Sequence, residues 1–201
     1  MDSAAISPSA SAPVTYFCGA PQKYVTGALA EGEIAAESIL EYLEINDFSS
    51  IADDEISAHL LEIEHYLSAE SAGETIESLE EEMQSVMDQY AGGIGTNYRF
   101  NEQQLCIADE KIRALQARTD ALRAADFQEL MYIYELRERL TVCRSVIAHL
   151  AARRETRWHS FAENADYPAR DDTNWNVFVN SRMENGEIRI ILRPLAEGGA
   201  V

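Results

Sequence analysis

The stretch DFQELMYIYELRERLTVCRSVIAHLAA, residues 126–152, decides the fold class of this chain. Its apolar residues recur at the three- and four-residue spacing of an α-helix, and neither Gly nor Pro interrupts them. The pattern therefore predicts a helix from Asp126 to about Ala152. Its predicted buried positions are Phe127, Leu130, Met131, Tyr134, Val142, Cys143, Val146, Ile147 and Leu150.

Three further amphipathic helices are predicted upstream of this one. The first starts at Asp53, a candidate cap, the second stops at the glycine cluster 92–95, and the third starts at Asn101, which with Gln104 predicts an N-terminal cap. Their predicted buried positions are Ile56, Leu60, Ile63 and Leu67; Ile76, Leu79, Met83, Val86, Met87 and Tyr90; and Leu105, Ala108, Ile112, Leu115 and Leu122. Four such helices with short connections predict a bundle over residues 53–155.

Short β segments are predicted on both sides of the bundle. Residues 156–201 form a C-terminal extension in which Gly186 marks a turn before a strand at Glu187–Leu192. On the other side, Val14–Cys18 reads as a strand. Because a single strand is unstable alone, each β segment is predicted to complete a partner's sheet. The expected fold is mainly α, a bundle of about four helices with β segments at both ends.

The N-terminal region begins with a tail, residues 1–13, which is predicted to be disordered because its residues are mostly small or polar. After the strand, a loop holding Gly19, Pro21 and Gly27 leads into a helix from near Ala28 to about Glu44. Its predicted buried positions are Leu29, Ile34, Ile39 and Leu43. The first N–H groups of a helix can bind an anion or a polar edge, and a plain structural turn is the alternative interpretation.

The charge of the chain excludes several classes of function. The formal net charge is -19, which repels a phosphate backbone and an anionic membrane surface, so nucleic acid is not an expected partner. The three cysteines are widely separated, as reduced thiols are, so a cytoplasmic location is expected. The first 14 residues lack an apolar run, so no membrane insertion is expected. His59 and His65 are six residues apart and fall on different helix faces, so no metal site is predicted.

The segment ETRWHSFAENADYPARDDTNW, residues 155–175, is chemically the most varied part of the chain. From composition alone it reads as a structural lid. In that interpretation Trp158 and Trp175 cover apolar surface, and Arg157 pairs with one of three acids. The three acids are Asp166, Asp171 and Asp172. Nothing in the sequence combines into a self-sufficient catalytic set, so no catalytic residue is assigned.

Three motifs in this segment carry a resemblance to a known family. They are E-T-R at 155–157, D-Y-P at 166–168 and D-D-T-N-W at 171–175. Together they resemble the C-terminal region of the flavoprotein subunits of the succinate dehydrogenase and fumarate reductase family, and most of all its adenylylsulfate reductase alpha branch. Residues 83–112 and 121–155 are similar to the helical domain of that family. Residues 26–44, TGALAEGEIAAESILEYLE, are similar to the segment that ends its FAD-binding domain.

The resemblance implies a flavin-facing segment within residues 14–46, which would complete an FAD-binding domain. The expected cofactor-binding residues are Gly19, Gly27, Ala28 and Leu29. Gln22 and Lys23 stand where family members place a His or Arg that touches substrate, so these two residues are expected nearest the substrate. Arg157 and Trp158 are expected to lock the helical domain against a partner.

The resemblance covers only the last third of a much larger flavoprotein. It therefore implies the small subunit of a heteromeric, split FAD-dependent oxidoreductase, in which hydride or electrons pass through an FAD shared with a partner chain. The expected partner is a larger flavoprotein subunit carrying the dinucleotide-binding fold, with an electron-transfer protein as a further partner. The alternative is a non-catalytic scaffold or regulatory subunit, which the short loop between Gly19 and Gly27 favours.

Overall fold

A computed structural model describes residues 24–46, 52–68, 73–157 and 162–195 of the chain. The chain divides into two compact units, Met1–Ile56 and Ser57–Val201. The predicted tail, the predicted strand Val14–Cys18 and the residues Gly19, Gln22, Lys23 and Trp158 lie outside the described residues.

The first unit contains helix α1, Tyr24–Ile45. This helix begins about four residues earlier than predicted, so Gly27, Ala28 and Leu29 lie within its first two turns. A single Gly costs a helix only about 1 kcal/mol, and the Ala- and Glu-rich sequence that follows outweighs it. Ile39 and Leu43, which were predicted to be buried, are exposed.

In the described residues five further α-helices follow: α2, Asp53–Tyr66; α3, Ile76–Tyr90; α4, Glu102–Arg118; α5, Phe127–Ala152; and the short α6, Asp172–Trp175. Helices α3, α4 and α5 pack together, which confirms the predicted bundle. Fully buried side chains such as Leu79, Ile112 and Leu136 form its core. No helix in the described ranges is long and apolar enough to cross a membrane.

One predicted helix cap, Asn101, is confirmed, and the structure shows another at Asp126. The Asn101 side chain accepts a hydrogen bond from the Gln104 amide at 2.8 Å, and the Asp126 side chain accepts one from the Glu129 amide at 2.9 Å. Asp53, in contrast, is the first helical residue of α2 rather than its cap. A carboxylate in the first turn still stabilises the helix through its dipole.

Helix α5 shows the largest departure from the predicted burial. Its fully or nearly buried apolar side chains are Leu130, Ile133, Leu136, Leu140 and Ile147. Four predicted core positions are exposed instead, namely Phe127, Met131, Val142 and Val146. In α2, Ile56 and Leu60 are likewise exposed, and Tyr66 is the buried residue. Because α5 carries apolar residues on both faces, spacing alone does not show which face meets the core.

The C-terminal strand pairs within the chain. Strand β3, Val177–Glu184, and strand β4, Glu187–Pro194, form an antiparallel hairpin. Asn185 and Gly186 both have positive φ, 51° and 79°, as the common two-residue hairpin turn requires. The prediction that this strand needs a partner's sheet was wrong, because residues 177–184 supply the pairing strand. Two shorter strands, β1 at Arg99–Phe100 and β2 at Glu163–Asn164, pair in parallel.

Candidate functional site

The candidate site is centred on Glu155, just after the end of α5. The residue is 3% exposed, and its carboxylate accepts hydrogen bonds from two arginines. Arg157 donates from Nε at 2.8 Å and from Nη2 at 3.0 Å, and Arg153 donates from Nη1 at 2.5 Å. The backbone N–H of Asp171 donates a further bond at 2.9 Å. A buried carboxylate is thus fully paired, as its burial requires.

The surroundings of Glu155 keep it ionised. Burial by itself raises the pKa of its carboxyl, but the hydrogen bonds from Arg157, the Asp171 amide and Arg153 outweigh that effect and leave the pKa below its ordinary value. Hydrogen bonds to Glu155 and Asp172 in turn raise the pKa of the Arg157 guanidinium. Both groups are therefore charged at neutral pH.

The three acids that were candidates for pairing with Arg157 have separate roles. Of these three acids, Asp172 pairs with Arg157: its Oδ1 lies 2.9 Å from Arg157 Nη1, which confirms the predicted ion pair. Asp171 caps α6, accepting from the backbone N–H groups of residues 173 and 174 at 3.0 and 3.1 Å. Asp166 accepts from the Glu102 amide at the start of α4, at 2.8 Å.

Hydrogen bonds join the three motifs into one unit. The buried Thr156 hydroxyl donates to the Tyr167 carbonyl at 2.9 Å and accepts from the Asn164 amide at 3.0 Å. Arg153 donates to the Trp175 carbonyl at 3.0 Å and the Val177 carbonyl at 2.9 Å. We call the ion-paired residues Arg153, Glu155, Arg157 and Asp172, together with Asp171, whose amide donates to Glu155, the Glu155 cluster. It fixes the segment after α5 to the start of β3.

A cavity of about 520 Å³ borders the Glu155 cluster. Its described lining is mostly apolar, from residues that include Phe100, Val146, Leu150 and Val179. The polar wall includes His149, whose Nε2 lies 2.9 Å from the Ser181 hydroxyl. Burial and the nearby Arg153 lower the pKa of His149, so this imidazole is neutral at neutral pH. Within the described ranges no carboxylate contacts His149, so the pair does not form a nucleophile, base and acid set.

The predicted cofactor residues fall in the other unit of the chain. Gly27, Ala28 and Leu29 lie in α1, and the first turn of this helix contains no acidic residue. The positive end of the helix dipole is therefore not offset there, and a negatively charged or electron-rich group such as a flavin edge fits it. Sequence reasoning missed Glu155 and Arg153 as the centre of the second unit's site. The signal that could have identified this centre is the single acid, Glu155, among three arginines within residues 153–157.

Comparisons of the sequence with known proteins point to one family, and the match of its model lies in the second unit. The family model described as fumarate reductase flavoprotein C-term matches residues 80–197. The alpha subunit of adenylylsulfate reductase from Megalodesulfovibrio gigas is 33% identical over 109 residues, which cover 53% of this chain and 16% of that protein.

Solved structures show the same relation in three dimensions. Adenylylsulfate reductase from Archaeoglobus fulgidus superposes with a TM-score of 0.76 at 27% identity, covering 87% of this chain and 30% of that one. Quinol fumarate reductase from E. coli shares the fold, with a TM-score of 0.63 at 20% identity over 84% of this chain and 28% of that one. The chain thus spans less than a third of the length of each relative.

Proposed function

Since the chain belongs to the fumarate reductase flavoprotein C-terminal family, we propose that it is the small subunit of a split FAD-dependent oxidoreductase. A separate, larger flavoprotein chain carries the dinucleotide-binding fold and most catalytic residues. This chain completes the flavin site and contributes the helical domain. We place the complex in the cytoplasm, with an electron-transfer protein as a further partner.

One observation carries the proposal. The chain superposes over 87% of its length on a protein of which it covers only 30%. About 70% of the length of that relative, an adenylylsulfate reductase, therefore lies outside the part that this chain matches. We infer that a separate polypeptide supplies the remaining part of the flavoenzyme.

The start of α1 is the part of this chain that we assign to the flavin. FAD, when bound, supplies hydride or electron transfer. We assign Gly19, Gly27, Ala28 and Leu29 to its ring edge, where Gly27 would supply a backbone donor and the positive end of the α1 dipole would favour negative charge. Because α1 begins at Tyr24, the free backbone donors belong to its first turn, which ends at Gly27. Gln22 and Lys23 precede this turn and lie nearest the substrate.

Affinity purification of the tagged chain from its source cells tests the proposal. We expect a yellow complex that contains a flavoprotein matching the N-terminal two thirds of the family. The flavin should stay with the complex on gel filtration and be released on denaturation. An untagged strain gives the background. A chain that elutes as a colourless lone monomer contradicts the proposal.

The second candidate is a non-catalytic scaffold or regulatory subunit derived from the same domain. The early start of α1 favours it, because Ala28 and Leu29 lie in the second turn, where backbone N–H groups bond within the helix. For this candidate the same purification yields a colourless assembly.

A further inference from the structure

One face of α5 carries two pairs of exposed apolar residues, and the exposed acids Glu135 and Glu138 lie between the pairs. Phe127 is 71% exposed, Met131 54%, Val142 61% and Val146 42%. Phe127 and Met131 are one turn apart, Val142 and Val146 are one turn apart, and eleven residues, about three turns, separate Met131 from Val142. These four residues and Glu138 lie on one side of the helix, and we call them the outer stripe of α5.

The opposite side of α5 is already buried in the bundle. Leu130, Ile133, Leu136, Leu140 and Ile147 face the core. A helix that carries apolar side chains on both sides is usually covered by other protein on both sides. Single exposed apolar residues are normal on a protein surface, but two exposed apolar pairs on the same side of one helix are typical of an interaction surface.

Two concave regions flank the outer stripe. A groove of about 550 Å³ is lined by Glu62, Tyr134, Arg137, Glu138, Thr141 and Val142. The cavity beside the Glu155 cluster takes Val146 into its wall. Side chains that insert into concave regions and exclude water there on binding supply most of the binding energy of a protein interface. The outer stripe therefore offers two anchor points.

The negative charge of Glu138 in the outer stripe indicates which kind of partner can cover it. Glu138 is exposed, and no ion pair in the described part of the chain engages it. The nearby Arg137 is paired with Glu62, and Arg139 with Glu80 and Glu135. A partner that brings a Lys or Arg to Glu138 gains an ion pair. A second copy of this chain, with its net charge of -19, brings like charge instead.

We propose that the outer stripe of α5 docks on the larger flavoprotein chain, against an apolar segment that carries Lys or Arg. In naming the flavoprotein as the partner, this inference rests on the proposed function. Val142 and Val146 are the central contacts, and Glu138 sets the charge of the partner segment.

Binding of full-length variants to the flavoprotein recovered with the wild-type chain tests this inference. We expect Val142→Glu to weaken the Kd by roughly tenfold or more, because it places a charge in the apolar contact. Glu138→Lys should also weaken binding by about tenfold, since it opposes a basic segment. The matched controls are Ile94→Glu, an exposed apolar position in the loop after α3, and Glu110→Lys on α4. Both controls should leave the Kd unchanged.

The possible outcomes separate the two proposals. If the flavoprotein binds Val142→Glu and Glu138→Lys as tightly as wild type, the docking surface is wrong and the proposed function stands. If no flavoprotein is recovered, both are wrong. If the chain forms a homodimer that Val142→Glu dissociates, a second copy covers the stripe and the inference is overturned. Circular dichroism spectra confirm that each variant is folded, and Glu138→Lys tests the same surface without altering an apolar position.

Discussion

Glu155→Gln tests whether the Glu155 cluster holds the C-terminal segment against the bundle. The substitution keeps the size and shape of the side chain and removes its charge. Gln retains one carbonyl oxygen as an acceptor, but its amide nitrogen is a donor and faces guanidinium groups that are donors only. The bonds from Arg153 and Arg157 to Glu155 are therefore lost or weakened.

The structure sets the size of the expected effect. Breaking one partner of a buried ion pair costs about 3–5 kcal/mol. Here both arginines keep other acceptors, Asp172 for Arg157 and two carbonyls for Arg153. Their side chains are also 17% and 26% exposed, so water relieves part of the loss. We expect the free energy of unfolding to fall by about 3 kcal/mol. That loss corresponds to a drop in Tm of about 6–12 °C.

Urea unfolding followed by far-UV circular dichroism measures this loss. Glu138→Gln is the matched control, because Glu138 is exposed and no ion pair in the described part of the chain engages it. The control should lie within about 0.5 kcal/mol of wild type, as ordinary surface substitutions do. If Glu155→Gln is as stable as the control, the cluster does not stabilise the fold.

Three other predictions follow from the same contacts. Because the pKa of Glu155 lies below its ordinary 4.5, its stabilisation is complete above pH 4.5 and is lost as pH falls through the lowered value. The difference in unfolding free energy between wild type and Glu155→Gln should shrink over that acidic range, and a constant difference contradicts the assignment. Arg137→Ala removes the ion pair to Glu62 and the cation–π contact to Tyr66, 5.8 Å away, so it should cost about 1–2 kcal/mol and speed amide exchange in α2. Unchanged exchange would show that Arg137 does not hold α2. Gly93→Ala places a Cβ 2.4 Å from the Asp88 Cα and should cost about 2 kcal/mol in urea unfolding, whereas wild-type stability would mean that the loop adjusts freely.

The local signals in the sequence predicted the helices and their starts well. Asn101 and Asp126 are followed at once by helical spacing, and each caps its helix in the structure. Such signals act over a few residues and do not depend on the rest of the fold. They failed at α1, where Gly27 was taken as a break but lies within the helix.

The burial of α5 could not be predicted from spacing, because both sides of the helix are apolar. Val142 and Ile147 look equivalent in the sequence, yet Val142 is exposed and Ile147 is buried. Only the positions of α3 and α4 decide between the two sides. The hairpin, in contrast, could have been predicted from the sequence, because Asn185-Gly186 is a strong turn signal. The strand before this turn was not recognised.

The candidate site depends on contacts that are distant in the chain. The motifs at 155–157 and 171–175 were visible as a family resemblance, and the sequence narrowed the partner of Arg157 to three acids. That Glu155 lies at the centre follows from its burial, which no pattern in the sequence reports.

FAD retention by the larger flavoprotein chain, measured with and without this chain, tests the central claim most directly. The flavoprotein is separated from this chain, mixed with FAD and passed through a gel-filtration column. The account predicts that bound FAD per flavoprotein is low alone and rises towards one when this chain is added. Equal FAD retention in the two samples would show that this chain does not complete the flavin site.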